Sequence, residues 1–445
     1  MLCRELEKKR KECYSNRVGA AEGLNFIHTM RDVCRDVPFG SLRFGCEFGY
    51  ELDMKDIAMA DNTGFQQRDI AAGRTTERII AFYLPQYYPT GINNSNYGEG
   101  FTEWTNVGKA RRLFPGHYQP RVPADLGYYD LRLSEVREAQ AELAREAGVE
   151  GFCYYHYWFS EDHVELDLVF NEVLRLKKPD FPFCLCWANQ SWYSKFWNAD
   201  AACRPRLVAE QLYDDSAGIE KHFYSLLPAF EDKRYIRVNG KLLFMIYRPL
   251  DFPDVGKFME QWQNHARKNS LGGFHFVGQA TNDSTAERIL ALGFDGVNIL
   301  RKNAYTKRPY WKGVKFCQRL LGMPFHADYR KVFKYFFDEK GMEAVDPRVY
   351  PSLLPNWDHS PRSGKRGSIL THSDPASFKA HALHVLNGCR NKAPETNLIF
   401  LKSWNEWGEG NYMEPDLRYG KGFINALREA VDRQEESAAD KTALK

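Results

Sequence analysis

No run in this 445-residue chain approaches the roughly 18 apolar residues that a membrane-spanning helix needs. The N-terminal MLCRELEKKRKEC has no apolar core of the kind a secretion signal carries. Net charge is almost absent: 61 Lys and Arg face 58 Asp and Glu, leaving +3, so no global field draws nucleic acid or a membrane. Ten cysteines include no C-x-x-C pair, which removes the usual zinc and disulfide frameworks. Cys153, Cys184 and Cys186 sit in apolar runs, where a thiol behaves as a small hydrophobe. The expected compartment is the reducing cytoplasm. No G-x-G-x-x-G, Walker A or clear D-x-D segment appears, so neither a nucleotide cofactor nor a metal is expected.

What is abundant is aromatic surface: 14% Phe, Trp and Tyr, including 24 Tyr and 10 Trp. From Arg78 onward, short apolar runs alternate with helical spacing. Strands are expected at Ile79–Pro85, Val149–Trp158, Phe183–Asn189, Leu242–Arg248, Phe274–Gln279, Asp295–Leu300, Val349–Trp357 and Leu398–Leu401. Helices are expected at Leu133–Ala147, His163–Lys177, Ser216–Phe230, Asp254–Lys268, Ala286–Leu292, Tyr329–Phe337, Pro375–Leu386 and Gly422–Asp432. Eight such units predict an α/β fold, a (β/α)8 TIM-type barrel with long βα-loop insertions. A doubly wound open sheet is the rival, weakened by the missing glycine fingerprint. Residues 1–75 read as an N-terminal extension of unknown role, open to partner docking. Residues 76–435 form the barrel domain, and 436–445 a polar tail.

In such barrels chemistry gathers where the strands end. The last strand runs into LKSWNEWGEGNYMEP, where Glu406 and Glu409 stand three residues apart among tryptophan and glycine. In a continuing strand the two carboxylates would point to opposite faces, roughly 10 Å apart along the axis. A turn at Gly408 would bring them to the ~5–6 Å of an i,i+3 pair, near the spacing in retaining glycosidases. The plainer alternative is a pair of surface glutamates capping a helix or meeting arginines.

Other strand ends carry aromatic and hydrogen-bonding groups suited to a polyhydroxylated ligand. Candidate substrate-binding residues are Glu103, Trp104, Tyr155, His156, Tyr157, Trp158, Trp187, Asn189, Tyr247, Trp357, Asp358, Trp404 and Asn405. His156 alternates with Tyr155 and Tyr157, so one set faces the interior and the other the helices. Asp358–His359–Ser360 has the letters of a triad, but neighbouring side chains cannot form its line. His381 and His384 lack a third metal ligand. Arg362–Arg366 and Lys307–Arg308 read as solvated loops that could also meet an acidic glycan.

The segments AFYLPQYYP, GFTEWTNVGKAR, GHYQPRVPADLGYYDLR, GFCYYHYWF, FPFCLCWAN, NWDHSPR and SWNEWGEGNYMEPD, in that order, resemble the WbsX-type family of the glycoside hydrolase family 99-like superfamily. That resemblance spans Arg78 to about Ala430 and implies a (β/α)8 barrel acting on glycosidic bonds. Characterised family 99 members are endo-acting on α-mannosides, and WbsX-type members are linked to surface polysaccharide and lipopolysaccharide O-antigen clusters. It further implies Glu406 as the base on a sugar 2-hydroxyl, Glu409 as the acid, and net retention through a 1,2-anhydro sugar. The expected function is cleavage or remodelling of a surface polysaccharide. A glycosyltransferase and a non-catalytic glycan-binding protein are the alternatives.

Overall fold

Eight runs rich in Ile, Leu, Val and Phe are buried on both faces, the pattern of parallel strands covered by helices. The structure, a computed structural model, describes residues 77–194 and 206–443. The expected extension and the docking role given to it lie outside the described residues. The strands are β1 (Arg78–Tyr83), β2 (Gly151–Ser160), β3 (Phe183–Trp187), β4 (Lys241–Ile246), β5 (Phe274–Ala280), β6 (Gly296–Ile299), β7 (Val349–Leu353) and β8 (Leu398–Leu401). Each pairs in parallel with the next, and β8 returns to β1, with Arg78 beside Leu398 and Ala81 beside Leu401. The sheet closes into a (β/α)8 barrel. Its interior is filled: Phe82 lies 5.5 Å from Tyr155 and 5.7 Å from Phe400, ring centre to ring centre.

Nine helices matter below: α1 (Glu103–Lys109), α2 (Ser134–Glu146), α3 (Leu168–Leu176), α4 (Ser216–Ser225), α5 (Val255–Lys268), α6 (Asp283–Leu290), α7 (Pro309–Leu320), α8 (Pro375–Cys389) and α9 (Gly422–Ala443). Helix α3 begins later than its spacing predicts. His163–Glu165 instead extends β2 as an antiparallel ribbon, a pairing that local periodicity does not encode. Helix α9 continues through the polar tail as far as Ala443, because that stretch is built of good helix formers. The loop Gln86–Tyr129 contains α1, capped by Thr102.

A further addition lies between β6 and β7. There α7 starts on Pro309, which suits a first helical position. Tyr305, Trp311, Tyr329, Val332, Phe336 and Trp357 form a second small core beneath it. A two-stranded parallel ribbon, His326–Asp328 with Ile369–Thr371, ties this insertion to the segment after β7. Among the described residues no helix is long and apolar enough to cross a membrane.

Candidate active site

Just beyond β8 the chain forms a tight hairpin, Asn405–Glu406 against Asn411–Tyr412, whose tip Trp407–Glu409 is a single 3-10 turn. Gly410 closes it at φ +51°, a left-handed conformation, and a Cβ there would stand 2.7 Å from that of Asp358. Gly408 serves another purpose: a Cβ would fall 1.9 Å from Glu103 Oε2, so only glycine lets that carboxylate approach. Trp407 is clamped between elements. Its ring stacks on Tyr412 at 3.7 Å, and its Nε1 donates to Glu414 Oε2 at 2.6 Å.

This turn aims both candidate carboxylates at one cation. Arg362 Nη1 donates to Glu409 Oε1 at 2.6 Å and to Glu406 Oε1 at 3.2 Å. The two oxygens are therefore at most about 6 Å apart, within reach of a single sugar ring. Arg362 Nε donates to Glu103 Oε2 at 3.0 Å, making Glu103 the third carboxylate of the cluster. Lys402 Nζ donates to Glu406 Oε2 and, at 3.0 Å, to the Tyr155 hydroxyl. His359 Nε2 lies 3.3 Å from Glu409 Oε1.

The charges decide the protonation states. Burial opposes ionisation of Glu409, but Arg362, then His359 and Lys402, hold it well below the usual carboxylate range. Burial likewise opposes the Lys402 charge, and Glu406 with Glu409 raises it regardless. Lys302 differs. Its ammonium sits 2.9 Å from the centre of the Trp357 ring, and burial, opposed by Glu409, brings it down to about 8. Among the described residues it makes no ion pair, and no cluster of His, Cys, Asp and Glu could hold a metal.

The sequence candidates divide between the two faces of the barrel wall. Tyr155, Tyr157, Tyr247 and Trp357 join the cluster or its rim. The Tyr155 and Tyr247 rings meet edge to face at 6.1 Å, and Tyr157, pushed up by burial, has Glu406 as its main charged neighbour. His156, Trp158 and Trp187 point the other way, toward α4 and α5. His156 Nε2 meets His222 Nε2 at 2.9 Å, and burial drives its imidazole down to about 3. Trp158 stacks on His222 and donates to Asp214, while Trp187 donates to the Trp158 carbonyl. Period-two alternation along β2 and β3 enforces this division.

Asn189, Asp358, Trp404 and Asn405 are framework. Asn189 exchanges hydrogen bonds with the Arg248 backbone, and Asn405 does so with that of Leu84 at the end of β1. Asp358 accepts from Gln119 Nε2 at 2.7 Å, faces His117 Nε2 at 2.8 Å, and its own amide donates to the Glu409 carbonyl. Trp404 is sealed in the core near Phe152, and Trp104 packs on Trp407 while donating to the Tyr129 carbonyl. Sequence reasoning missed Arg362, Lys402 and Lys302 as site residues. Lys402 and Lys302 carried a legible signal, a lysine just past an apolar strand at the chemical end of the barrel. Arg362 was read only as part of a solvated basic loop; it is instead buried against Glu103, Glu406 and Glu409, because tertiary folding brings that loop over the carboxylates.

Residues 79–427 match the family described as Glycosyltransferase WbsX. The chain belongs to the WbsX family. A relative named "Uncharacterized protein WxcX" in Xanthomonas campestris pv. campestris is 32% identical over 365 residues, covering 81% of this chain and 50% of the relative. The chain thus spans about half the length of the curated relatives it matches. Among solved structures, the GH99 endo-alpha-mannosidase of Bacteroides thetaiotaomicron is similar at 14% identity, with a TM-score of 0.50 over 81% of this chain and 98% of that one. The same enzyme with BIS-TRIS-propane gives 15% identity and a TM-score of 0.52 over 82% and 98%. At these identities the likeness shows a shared (β/α)8 barrel fold.

Proposed function

We propose that this WbsX-family chain is a carbohydrate-active enzyme that cleaves or remodels glycosidic bonds of a polysaccharide, with Glu406 and Glu409 as the reacting pair. The observation that carries the reading is their convergence on Arg362 Nη1 at the end of the barrel where the strands terminate. Glu406, flanked by Lys402 and Arg362, is placed to act as a base. It takes the proton of a sugar 2-hydroxyl, whose oxygen then attacks the anomeric carbon and expels the leaving group. Glu409 supplies the proton to the leaving oxygen and recovers it from water when the anhydro ring opens, while Glu406 returns its proton to the 2-oxygen. That role requires a protonated Glu409, so a bound sugar must first displace Arg362 from it. The α-mannosides are the first substrates to test, given the neighbouring endo-alpha-mannosidase.

A specific observation favours a second reading, glycosyl transfer. Held ionised beside Arg362, Lys402 and Lys302, Glu409 is a poor acid, but those cations suit a phosphate leaving group that needs none. Incubation with a manno-oligosaccharide panel, with and without sugar nucleotides, separates the two. Hydrolysis without nucleotide supports the first reading, product only with nucleotide supports transfer, and no product in either sinks both. Glu409→Gln is expected to cut hydrolysis by about 10²–10⁴-fold with ligand affinity retained. Full activity in that variant would remove Glu409 from the acid role.

A further inference from the structure

The insertion between β6 and β7 conceals a charge that the whole-chain total of +3 does not reveal. Arg301–Glu343 holds eleven Lys and Arg against four Asp and Glu, a net of +7. Arg301 is paired with Asp283 and Glu343, and Arg330 with Asp328. Among the described residues, Lys312, Lys315 and Arg319 on α7 have no carboxylate partner.

Helix α7 shows three faces. Trp311 and Gln318 are buried against the small core, with Val314 packed beside them. At 3.6 residues per turn, Lys312, Lys315 and Arg319 share a second arc. Tyr310, Phe316 and Leu320, with Leu321 just past the helix, occupy the third, and their exposures are 67%, 63%, 71% and 71%. A single exposed leucine needs no explanation. An arc of four large apolar side chains bordered by three cations that lack a carboxylate partner does, and it matches a helix lying in a lipid interface.

We propose that α7 docks this chain on the surface of an anionic lipid bilayer, its apolar arc at the acyl-chain boundary and Lys312, Lys315 and Arg319 against headgroup phosphates. Charge selects this occupant. A second copy would set the Lys312, Lys315 and Arg319 charges of one chain against those of the other across a self-complementary contact. Residues 1–70 carry eleven Lys and Arg against twelve Asp and Glu, too little negative charge to balance the face. Nucleic acid would leave the apolar arc in water. Docking does not depend on the chemistry proposed for Glu406 and Glu409. Even so, it reaches their site, because Trp357 belongs to the core under α7 and carries Lys302 on its ring.

Sedimentation of the full chain with vesicles tests the proposal, using phosphatidylcholine alone and phosphatidylcholine mixed with phosphatidylglycerol. Binding is expected to the mixed vesicles, about tenfold or more weaker to the neutral ones, and weakened by added salt. The triple variant Lys312→Glu, Lys315→Glu, Arg319→Glu and the variant Phe316→Ser, Leu320→Ser should each lose about tenfold or more in binding. Both change exposed side chains, so circular dichroism and the melting temperature should not move; Leu320→Ser alone serves if either does. Absence of binding to mixed vesicles overturns the proposal, as does binding that both variants leave intact. A dimer that Leu320→Ser dissolves, in a chain that ignores vesicles, overturns it in favour of self-association.

Discussion

Arg362 holds three carboxylates that would otherwise repel one another in a water-poor site. Removing one partner of a buried ion pair typically costs about 3–5 kcal/mol, because the other charge is left uncompensated. Arg362→Met is therefore expected to destabilise the chain by about that amount in urea denaturation. It should also release Glu409 toward the ordinary carboxylate range, since Arg362 is the main group holding it down. Lys302 makes the opposite case, a cation that burial disfavours. It loses its proton at about 8 when folded against 10.5 for a free lysine, so between those values the unfolded chain binds more protons. Stability from this group accordingly rises with pH across that window. The denaturation midpoint of the native chain, compared with Lys302→Met, should show that slope only where the lysine is present.

The hairpin after β8 depends on Glu414, which anchors Trp407 and so fixes the turn bearing both candidate carboxylates. Glu414 accepts from Trp407 Nε1, Gln140 Nε2 and the Tyr129 hydroxyl, all neutral donors. Burial pushes its carboxyl up to about 7 from 4.5. Between those values the folded chain binds more protons than the unfolded one, so this group's contribution to stability falls as pH rises from 4.5 to 7. Melting temperatures of the native chain and Glu414→Gln across that range should converge toward one slope only outside it. Equal slopes throughout would mean the carboxyl titrates normally. Glu414 stands at the end of the LKSWNEWGEGNYMEP run, yet nothing local marks it as buried, because two of its three partners come from the loop after β1 and from α2.

Closure of the barrel is what places the ends of β1, β2, β6, β7 and β8 around one opening. Phe400 is fully buried at the β8–β1 seam beside Phe82. Phe400→Ala is expected to cost about 3–5 kcal/mol by calorimetry, the usual penalty for emptying that volume. The insertion carrying α7 is a separate layer of organisation, with its own small core, and its charge appears only when the chain is read segment by segment.

The order of strands and helices was legible because each barrel strand is apolar on both faces and each covering helix repeats at 3.6 residues. Glu406 and Glu409 were legible because two carboxylates and two glycines interrupt an apolar strand end, a local pattern that needs no partner. Which face of β2 looks inward, the union of Glu103, Arg362 and Lys402 with that pair, and the exposed arc of α7 were decided by folding alone. These are relations between residues up to about 300 positions apart, or between a side chain and the solvent. Periodicity constrains neighbours along one element, whereas long-range contacts arise only when the sheet closes and its loops meet.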